Sequence, residues 1–241
     1  MLICDLNCDM GEGTGNDAAL MPYITSANIA CGYHAGDEAT MHQTAQLAKS
    51  YGVAVGAHPS FPDRENFGRK EMHLNGSEVY NLVKTQIIKL QAIALDHGII
   101  LRHVKPHGAL YNMAANDAGL AGAIAQAIKD VDASLVLFGL SGSCLITEGN
   151  AMGLPTKSEV FADRTYRDDG SLTPRTQPNA LIEEEAKAIQ QALQMVNRGC
   201  VTTTSGKSIP ITAQTISLHG DGPNAVALAK ALHKALLVAD K

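Results

Sequence analysis

The stretch "HVKPHGALYN", residues 103–112, places two histidines and a lysine at alternate positions, His103, Lys105 and His107. Successive side chains of a β-strand point to opposite faces, so these three titratable groups share one face of a strand. A central strand of a doubly wound α/β sheet is covered by helices on both sides and is apolar on both faces. A polar face therefore favours a barrel whose strands turn that face toward a wet, functional interior.

Short β-rich runs alternate with longer segments of helical period along the whole chain, a pattern typical of parallel strands joined by helical crossovers. Seven strands are predicted, at residues 2–8, 24–31, 53–58, 99–105, 134–140, 157–162 and 214–219. Polar residues share a face in four further strands: Asp5, Asn7 and Asp9; Gly56 and His58; Glu159 and Asp163; Ser217, His219 and Asp221. The run "SLVLFGL" alone is apolar throughout, so one wall of the barrel is expected to be dry or to lie at an edge.

These patterns predict an α/β barrel or near-barrel, with a doubly wound open sheet as the competing fold. No change of composition marks a domain boundary, so we expect a single domain over residues 1–241. Capping residues and apolar period predict four helices: residues 37–51 behind the cap Asp37, a helix capped by Ser77 and ended by Gly98, one that follows Thr176 and ends at Gly199, and a last one that begins near Pro223.

Composition narrows the class of protein. The chain is 45% hydrophobic and 18% charged, as in ordinary globular proteins, and it has no apolar run long enough for a membrane span. A net charge of -5 without a basic cluster argues against nucleic-acid binding. The N-terminus does not resemble a signal peptide, and the five cysteines form no C-x-x-C pair, so a cytoplasmic protein acting on small molecules is expected.

The polar clusters fall where strands end, which is the side on which parallel α/β folds bind ligands. His34, His58, His107 and His219 all end strands, whereas His42, His73, His97 and His233 are interpreted as surface residues. Asp37 is well placed to cap a helix, but Glu12 lies between two glycines and favours a functional interpretation.

Three chemistries remain open for this cluster. Histidines and carboxylates could hold a divalent metal that polarises a carbonyl and activates water. Without a metal, the same groups would act as general acids and bases, with Lys105, Arg64 and Arg164 binding an anion. A nucleophilic Cys31 beside His34 or His58 is the weakest alternative.

One short motif is misleading. "TSGKS", residues 204–208, ends like a phosphate-binding loop, but Val201 occupies the position of the required first glycine. The segment also lies between a helix and a strand instead of following a strand. We therefore interpret it as a turn, and we find no nucleotide-binding motif in the chain.

The strand-end motifs together resemble the LamB/YcsF family in order and spacing, over residues 5–221. They are "DLNCDMGEG", "NIACGYHAGD", "GAHPSFPDRENFGR", "HVKPHGALYN", "EVFADRTYRDDGSLTPR" and "LHGDGP". The resemblance implies a distorted seven-stranded barrel, similar to TIM barrels and related to the glycoside hydrolase and deacetylase barrels. It also implies the reaction of a 5-oxoprolinase A subunit working with subunits B and C: opening of 5-oxoproline (pyroglutamate) to L-glutamate, with ATP and Mg²⁺ as cosubstrate.

The motif residues are assigned to this reaction as a hypothesis. The predicted catalytic residues are Asp9, Glu12, His58, Lys105, His107, His219 and Asp221. The predicted substrate-binding residues are Asn7, Asn28, His34, Arg64, Asp163 and Arg164. In this scheme Asp9 and Glu12 activate water with His58 or His107, and His219 with Asp221 orients the leaving nitrogen.

Other functions remain open at this point. The chain could be a metal-dependent, deacetylase-like or carbohydrate-processing barrel, or a lactam-binding module without catalysis of its own. Aromatic residues make up only 4% of the chain and tryptophan is absent, which argues against a cleft that stacks sugars.

Overall fold

The polar faces predicted from the sequence line the inside of a closed barrel in the computed structural model, which describes residues 2–220, 222 and 224–237. Within these residues the barrel consists of seven parallel strands, β1 Asp5–Met10, β2 Ser26–Ala30, β3 Ala54–His58, β4 His103–Val104, β5 Val136–Leu140, β6 Thr156–Phe161 and β9 Thr215–Leu218. The predicted seven-stranded barrel is confirmed, and the doubly wound alternative is wrong. Strand ends differ from the prediction by up to three residues, except that β4 is reduced to two residues.

Helices surround the barrel and connect its strands. Their bounds are α1 Asp17–Leu20, followed by a 3₁₀ turn at Met21–Tyr23, α2 Glu38–Tyr51, α3 Gly76–Asp96, α4 Gly108–Asn116, α5 Ala118–Val131, α6 Cys144–Ala151, α7 Glu185–Arg198 and α8 Ala225–Leu236. A two-stranded antiparallel hairpin, β7 Cys200–Thr202 and β8 Ser208–Pro210, lies between α7 and β9. The "TSGKS" segment forms the turn of this hairpin and the start of β8, as its interpretation as a turn predicted.

Two predicted helix starts are wrong and a third is confirmed. Asn75, not Ser77, caps α3, because Asn75 and Glu78 exchange side-chain-to-backbone hydrogen bonds in a capping box. Helix α7 begins at Glu185, well after Thr176, because residues 163–184 form a non-helical segment above the barrel. Asp37 caps α2 as predicted. Asp221 and Pro223 lie outside the described residues.

Apolar packing holds the helices against the outside of the barrel. The predicted stripe of α3 is fully or almost fully buried: Val79, Val83, Ile87, Leu90 and Ala94. Outward-facing strand residues such as Leu6, Ile29 and Val55 complete this layer. Because burying one such side chain contributes about 1.5–3 kcal/mol, this layer between helices and strands is the main source of stability. Among the described residues, no helix is long and apolar enough to cross a membrane.

Polar side chains fill the inside of the barrel. Asn7, Asn28, Glu159, Thr215 and Ser217 are all buried there. Asn7 is hydrogen-bonded to Asn28, Glu159 and Thr215, and Ser217 accepts a hydrogen bond from Lys105. Strand β5 is the apolar strand that was predicted to form a dry wall of the barrel. Its Phe138 stacks on the imidazole ring of His103, with ring centroids 4.3 Å apart. The interior is thus a hydrogen-bonded polar core that supports the strand ends from below.

Candidate active site

A cavity of about 790 Å³ opens at the carboxyl ends of the barrel strands. Parallel pairing places these ends together, because Asp9 is in register with Asn28 and Ala30 is in register with His58. The predicted site residues that line this cavity are Asp9, His58, Lys105, His107, Arg164 and His219. The barrel therefore collects six groups from distant parts of the chain around one space.

The ammonium group of Lys105 is held inside the barrel by its contacts with other side chains. Its ammonium group contacts four side chains: Asp9 Oδ1 at 3.0 Å, Glu159 Oε1 at 3.0 Å, Ser217 Oγ at 2.9 Å and Asn7 Oδ1 at 3.2 Å. Burial alone would lower the pKa of Lys105, but the two carboxylates raise it above its usual value. Since an ammonium group has three hydrogens and they are already matched by these acceptors, Lys105 serves as an internal counter-charge.

Asp9 is held in its ionised form. Burial alone would raise the pKa of Asp9, but His58 and the Lys105 ammonium lower it well below the usual range. Asn28 Nδ2 also donates a 2.9 Å hydrogen bond to Asp9 Oδ1. The second carboxylate oxygen, Oδ2, lies 3.3 Å from His58 Nε2. A carboxylate at the cavity wall with one oxygen anchored and the other beside an imidazole is well arranged to accept a proton.

Asn7 and Asn28 lie below the cavity and do not line it. Asn28 Nδ2 donates to Asn7 Oδ1 at 2.8 Å, and His103 Nε2 donates to Asn28 Oδ1 at 2.8 Å. Burial lowers the pKa of His103 to about 3, so its ring is neutral. These two asparagines orient Asp9 and Lys105, and the structure does not bring them to the surface of the cavity.

Glu159 and Tyr111 belong to the same network and were not among the predicted site residues. Glu159 is completely buried, accepts a 2.7 Å hydrogen bond from the Tyr111 hydroxyl and another from Asn7 Nδ2. Burial and the charge of Glu159 raise the pKa of Tyr111 well above its usual value. The signal for Glu159 was its inward position on the predicted sixth strand, where an unpaired acid would be costly.

A second cluster combines Glu12 with His34, His58 and His107, each of which offers a ligand atom within 4.8 Å of the others. His34 Nε2 lies 3.0 Å from Glu12 Oε1, and the rings of His34 and His107 stack with centroids 3.8 Å apart. Burial, and after it the neighbouring His58, lowers the pKa of His34 to about 3 and that of His107 well below its usual value. Both rings are therefore neutral at physiological pH.

Backbone carbonyls fix which nitrogen of two of these rings carries hydrogen. His58 Nδ1 donates to the carbonyl of Lys105 at 2.7 Å, and His107 Nε2 donates to the carbonyl of Phe67 at 2.9 Å. In the neutral ring of His107 the lone pair is then on Nδ1, which lies 2.8 Å from His58 Nε2. Two ring nitrogens that face each other beside a carboxylate can share a proton or bind a metal ion.

The donor set fits a small divalent cation. Glu12, His34, His58 and His107 would supply one oxygen and three nitrogens, which is a set typical of zinc sites, and backbone carbonyls orient two of the rings as in such sites. His34 Nδ1 is a buried nitrogen without a hydrogen-bond partner among the described residues. These four residues are therefore the group in this barrel that could hold a metal.

His219 pairs with Asp163. Its Nδ1 donates to Asp163 Oδ2 at 2.8 Å, its backbone N–H donates to the same oxygen at 3.2 Å, and its ring stacks on Phe161 with centroids 5.8 Å apart. Burial alone would raise the pKa of Asp163, but the charge and hydrogen bonds of His219 lower it. The predicted partner Asp221 is outside the described residues, and Asp163 contacts His219 and is not among the residues that line the cavity.

The two predicted arginines are in different positions. Arg64 is exposed, and its Nη1 donates to the carbonyls of Gly32 and Gly36 at 2.8 and 2.9 Å, so it fixes the loop that carries His34 and does not line the cavity. Arg164 is buried and lines the cavity, together with Arg69, Arg167 and Arg175, which the sequence did not single out.

Cys31 does not have the properties of a nucleophile. It is completely buried, its thiol donates to the carbonyl of Ile29, and burial raises its pKa to about 12. A thiolate is the reactive form of cysteine. The interpretation of Cys31 as a nucleophile is therefore wrong.

The chain is thus a closed barrel of seven parallel strands surrounded by helices, with carboxylates and histidines collected at its mouth. The chain belongs to the LamB/YcsF family, which it matches over residues 4–240. The A subunit of 5-oxoprolinase from Brevibacillus brevis is 53% identical, with 98% of this chain and 95% of the relative covered. The crystal structure of a lactam utilization protein from Thermus thermophilus is 42% identical, with a TM-score of 0.90 over 97% of this chain and 95% of that one.

A more distant structure shows the same fold. A family 4 carbohydrate esterase from Streptomyces lividans superposes with a TM-score of 0.50 over 97% of this chain and 86% of the esterase. Its sequence identity is 12%, so the likeness concerns the barrel and not the chemistry. The predicted relation to the glycoside hydrolase and deacetylase barrels is thus confirmed at the level of the fold.

Proposed function

We propose that this chain is the A subunit of an ATP-dependent 5-oxoprolinase and that its cavity is where the lactam ring of 5-oxoproline is opened. The observation that carries this proposal is the convergence of Asp9, His58, Lys105 and His219 on one cavity in a chain 53% identical, over almost its whole length, to a relative named as the A subunit of 5-oxoprolinase. The scarcity of aromatic residues for stacking a sugar supports a lactam as the substrate.

The chemistry explains the use of ATP. An unstrained five-membered lactam is a stable amide, and transfer of the γ-phosphoryl group of ATP to its oxygen makes the ring carbon a better electrophile. Water then adds to that carbon, the C–N bond breaks, and a second water releases phosphate. ATP with Mg²⁺ is thus the cosubstrate of the complete enzyme, and subunits B and C are its proposed partners because this chain has no nucleotide-binding motif.

Proton transfers are assigned from the geometry. Asp9, kept ionised by His58 and Lys105, accepts a proton from the attacking water at its Oδ2 atom, which lies beside His58. His219, whose Nδ1 is held by Asp163, donates a proton from its other nitrogen to the leaving amide nitrogen. Glu12 and His107 orient His58 from the second cluster.

We also propose a divalent metal at Glu12, His34, His58 and His107, because one potential ligand atom of each residue lies within 4.8 Å of the others. When bound, such a cation polarises an adjacent carbonyl or activates a water molecule. The donor atoms are Glu12 Oε1, His34 Nε2, His58 Nε2 and His107 Nδ1.

The first experiment measures glutamate and ADP produced from 5-oxoproline by this chain alone and then with subunits B and C. We expect both products only in the mixture, and we expect His219→Gln to lower turnover at least about 100-fold, since a positioned general acid contributes about 10²–10⁴. The matched control is His73→Gln, at an exposed position outside the cavity lining. An inactive mixture of folded subunits would overturn the proposal.

A further inference from the structure

The segment between β6 and α7 carries three arginines of the cavity wall, Arg164, Arg167 and Arg175. Arg69 joins them from the segment that follows β3. In the described part of the lining, the only carboxylates are those of Asp9 and the exposed Glu71. A chain with a net charge of -5 therefore concentrates positive charge at this one cavity.

Lys105 does not account for that charge, because its ammonium group is neutralised by Asp9 and Glu159 inside the barrel. The other cationic groups of the lining are the guanidinium groups, of which those of Arg164 and Arg175 also lie near the Asp163 carboxylate. A guanidinium presents its N–H donors as a planar fork, which matches the oxygens of a carboxylate or a phosphoryl group.

The surroundings of Arg164 disfavour the charged form of its guanidinium group. Its side chain is buried, with Nε donating to the carbonyl of Ala180 at 3.3 Å and Nη2 donating to the carbonyl of Thr173 at 2.6 Å. Burial, and after it the charge of Arg175, lowers the pKa of Arg164 to about 10. A buried cation next to a like charge is stabilised when an anion binds beside both.

The arginine-bearing segment is rigidly attached to the barrel. Tyr166 is completely buried, and its hydroxyl accepts the N–H of Phe161 at the end of β6. Thr165 binds Thr173 through both backbone and side chain, which folds the segment back on itself. The backbone that carries the arginines is thus anchored before any ligand arrives, and less ordering of the segment is needed on binding.

The "TSGKS" turn contributes to the same anchoring. Asp168, next to Arg167, accepts hydrogen bonds from the hydroxyls of Thr203 and Ser205, each at 2.6 Å, and lies 2.7 Å from Lys207 Nζ. The backbone N–H of Thr204 donates to the carbonyl of Tyr166 at 2.8 Å. Lys207, which with Gly206 and Ser208 resembles the end of a phosphate-binding loop, binds the surface carboxylate of Asp168 instead.

We propose that Arg164, Arg167 and Arg175 form an oxyanion-binding subsite of the cavity, which takes the carboxylate of a small cyclic amide or a phosphoryl group attached to it. The identity of these two ligands rests on the proposed function, whereas the binding of an oxyanion does not. In a seven-stranded barrel, a subsite that follows β6 faces the histidine cluster across the mouth, so an anion held there would present its neighbouring atoms to Asp9 and His58.

Calorimetric titration of the full chain with inorganic phosphate and, separately, with 5-oxoproline tests this subsite at low and at physiological ionic strength. We expect saturable binding of at least one of the two ligands, weakened at least tenfold by Arg175→Gln and by Arg167→Gln. Arg102→Gln, an exposed arginine before β4 and outside the cavity lining, is the matched control and should bind like the wild type. Circular dichroism of each variant verifies that it is folded.

The two ligands distinguish the source of the oxyanion: binding of phosphate indicates a phosphoryl subsite, and binding of 5-oxoproline alone indicates a carboxylate subsite. Absence of saturable binding for both, or equal binding by all variants, would overturn the subsite. Turnover in the presence of subunits B and C separates this result from the proposed function. An active complex whose KM and kcat are unchanged by both cavity variants refutes the subsite alone, and an inactive complex with intact, arginine-dependent binding refutes the proposed reaction alone.

Discussion

Gly56 faces the imidazole ring of His103 inside the barrel so closely that a methyl group on Gly56 would overlap the ring. The ring cannot easily move away, because it stacks on Phe138 and donates a hydrogen bond to Asn28. The absence of a side chain at Gly56 thus makes room for His103, and His103 in turn supports the asparagine that orients Asp9.

Gly56→Ala is expected to lower the free energy of unfolding by about 1–3 kcal/mol, the usual effect of overpacking a rigid core. Urea unfolding followed by circular dichroism measures the change. Gly76→Ala, at the start of α3, is the matched control. Its methyl group would have only an ordinary contact with Ala123 of α5. Equal stability of the two variants would show that the ring of His103 is free to move.

Lys105→Met tests the internal counter-charge. The sequence alone suggests that this substitution removes turnover and leaves the fold intact, but the structure shows that it leaves Asp9 and Glu159 buried without a cation. We expect a loss of about 3–5 kcal/mol in the free energy of unfolding, as for other broken buried ion pairs.

The double variant Lys105→Met with Glu159→Gln removes one of the two carboxylate charges that Lys105→Met leaves without a cation. It should recover part of the lost stability in a double-mutant cycle, because the two residues interact directly. Additive effects of the two substitutions would mean that Lys105 does not compensate Glu159.

The histidine cluster should bind metal. We expect the chelator-treated chain to take up one equivalent of Zn²⁺, measured by titration and elemental analysis, and we expect His34→Gln to weaken binding at least about tenfold, by loss of a ligand. His73→Gln, which changes an exposed histidine, should bind like the wild type. Uptake that is weak and equal in all three proteins would leave a shared proton as the cation between His58 and His107.

The barrel could be predicted from the sequence because its evidence is local. Alternation of polar and apolar residues within each strand identifies the inner face, and strand-end motifs identify the mouth. The partner of His219 depends instead on the register between strands. Phe161 is in register with Ser217, so two residues further along each chain Asp163 lies beside His219, although Asp221 is much closer in sequence.

The same distinction explains the helix starts. The capping box of Asn75 and Glu78 is a local pattern that the sequence does contain, and Ser77 was a competing cap within the same turn. The late start of α7 has no local signal, because buried contacts of Arg164 with Thr173 and Ala180 hold residues 163–184 away from a helix. Contacts of this kind depend on tertiary structure and are not visible in apolar periodicity.

The Asp163 and His219 pair should give a pH-dependent stability. Because the pKa of Asp163 is lowered in the folded protein, its carboxylate stabilises the fold above the ordinary Asp value of about 4 and loses this effect as the pH falls through the folded-state pKa. Asp163→Asn should therefore be less stable than the wild type by about 1–3 kcal/mol at pH 7, a typical value for a charge-assisted hydrogen bond.

The difference between Asp163→Asn and the wild type should begin to narrow below about pH 4, where this carboxyl group takes up a proton in the unfolded chain, and it should vanish only below the lowered folded-state pKa. Urea unfolding at pH 7, 5 and 3.5 measures it. A difference of the same size at all three values would indicate that the substitution acts through packing and not through the charge of Asp163.

Asp168 should act on the proposed oxyanion subsite without touching the ligand. Its carboxylate fixes the segment that carries Arg167 to the β7–β8 hairpin, so Asp168→Ala should free this arginine and weaken the binding of phosphate or 5-oxoproline. We expect a three- to tenfold increase in Kd, smaller than that of Arg167→Gln, because Arg164 and Arg175 remain in place. Calorimetry with the same two ligands measures it.

The matched control for Asp168→Ala is Asp132→Ala. Asp132 is also a surface carboxylate that accepts hydrogen bonds from a nearby hydroxyl and a backbone N–H, both of Ser134, but it lies before β5, away from the cavity. If Asp168 acts only on stability, both substitutions will change unfolding alone and leave Kd unaltered. If it positions Arg167, Asp168→Ala will change Kd, and Asp168→Asn, which keeps an acceptor oxygen for Thr203 and Ser205, will restore part of the affinity.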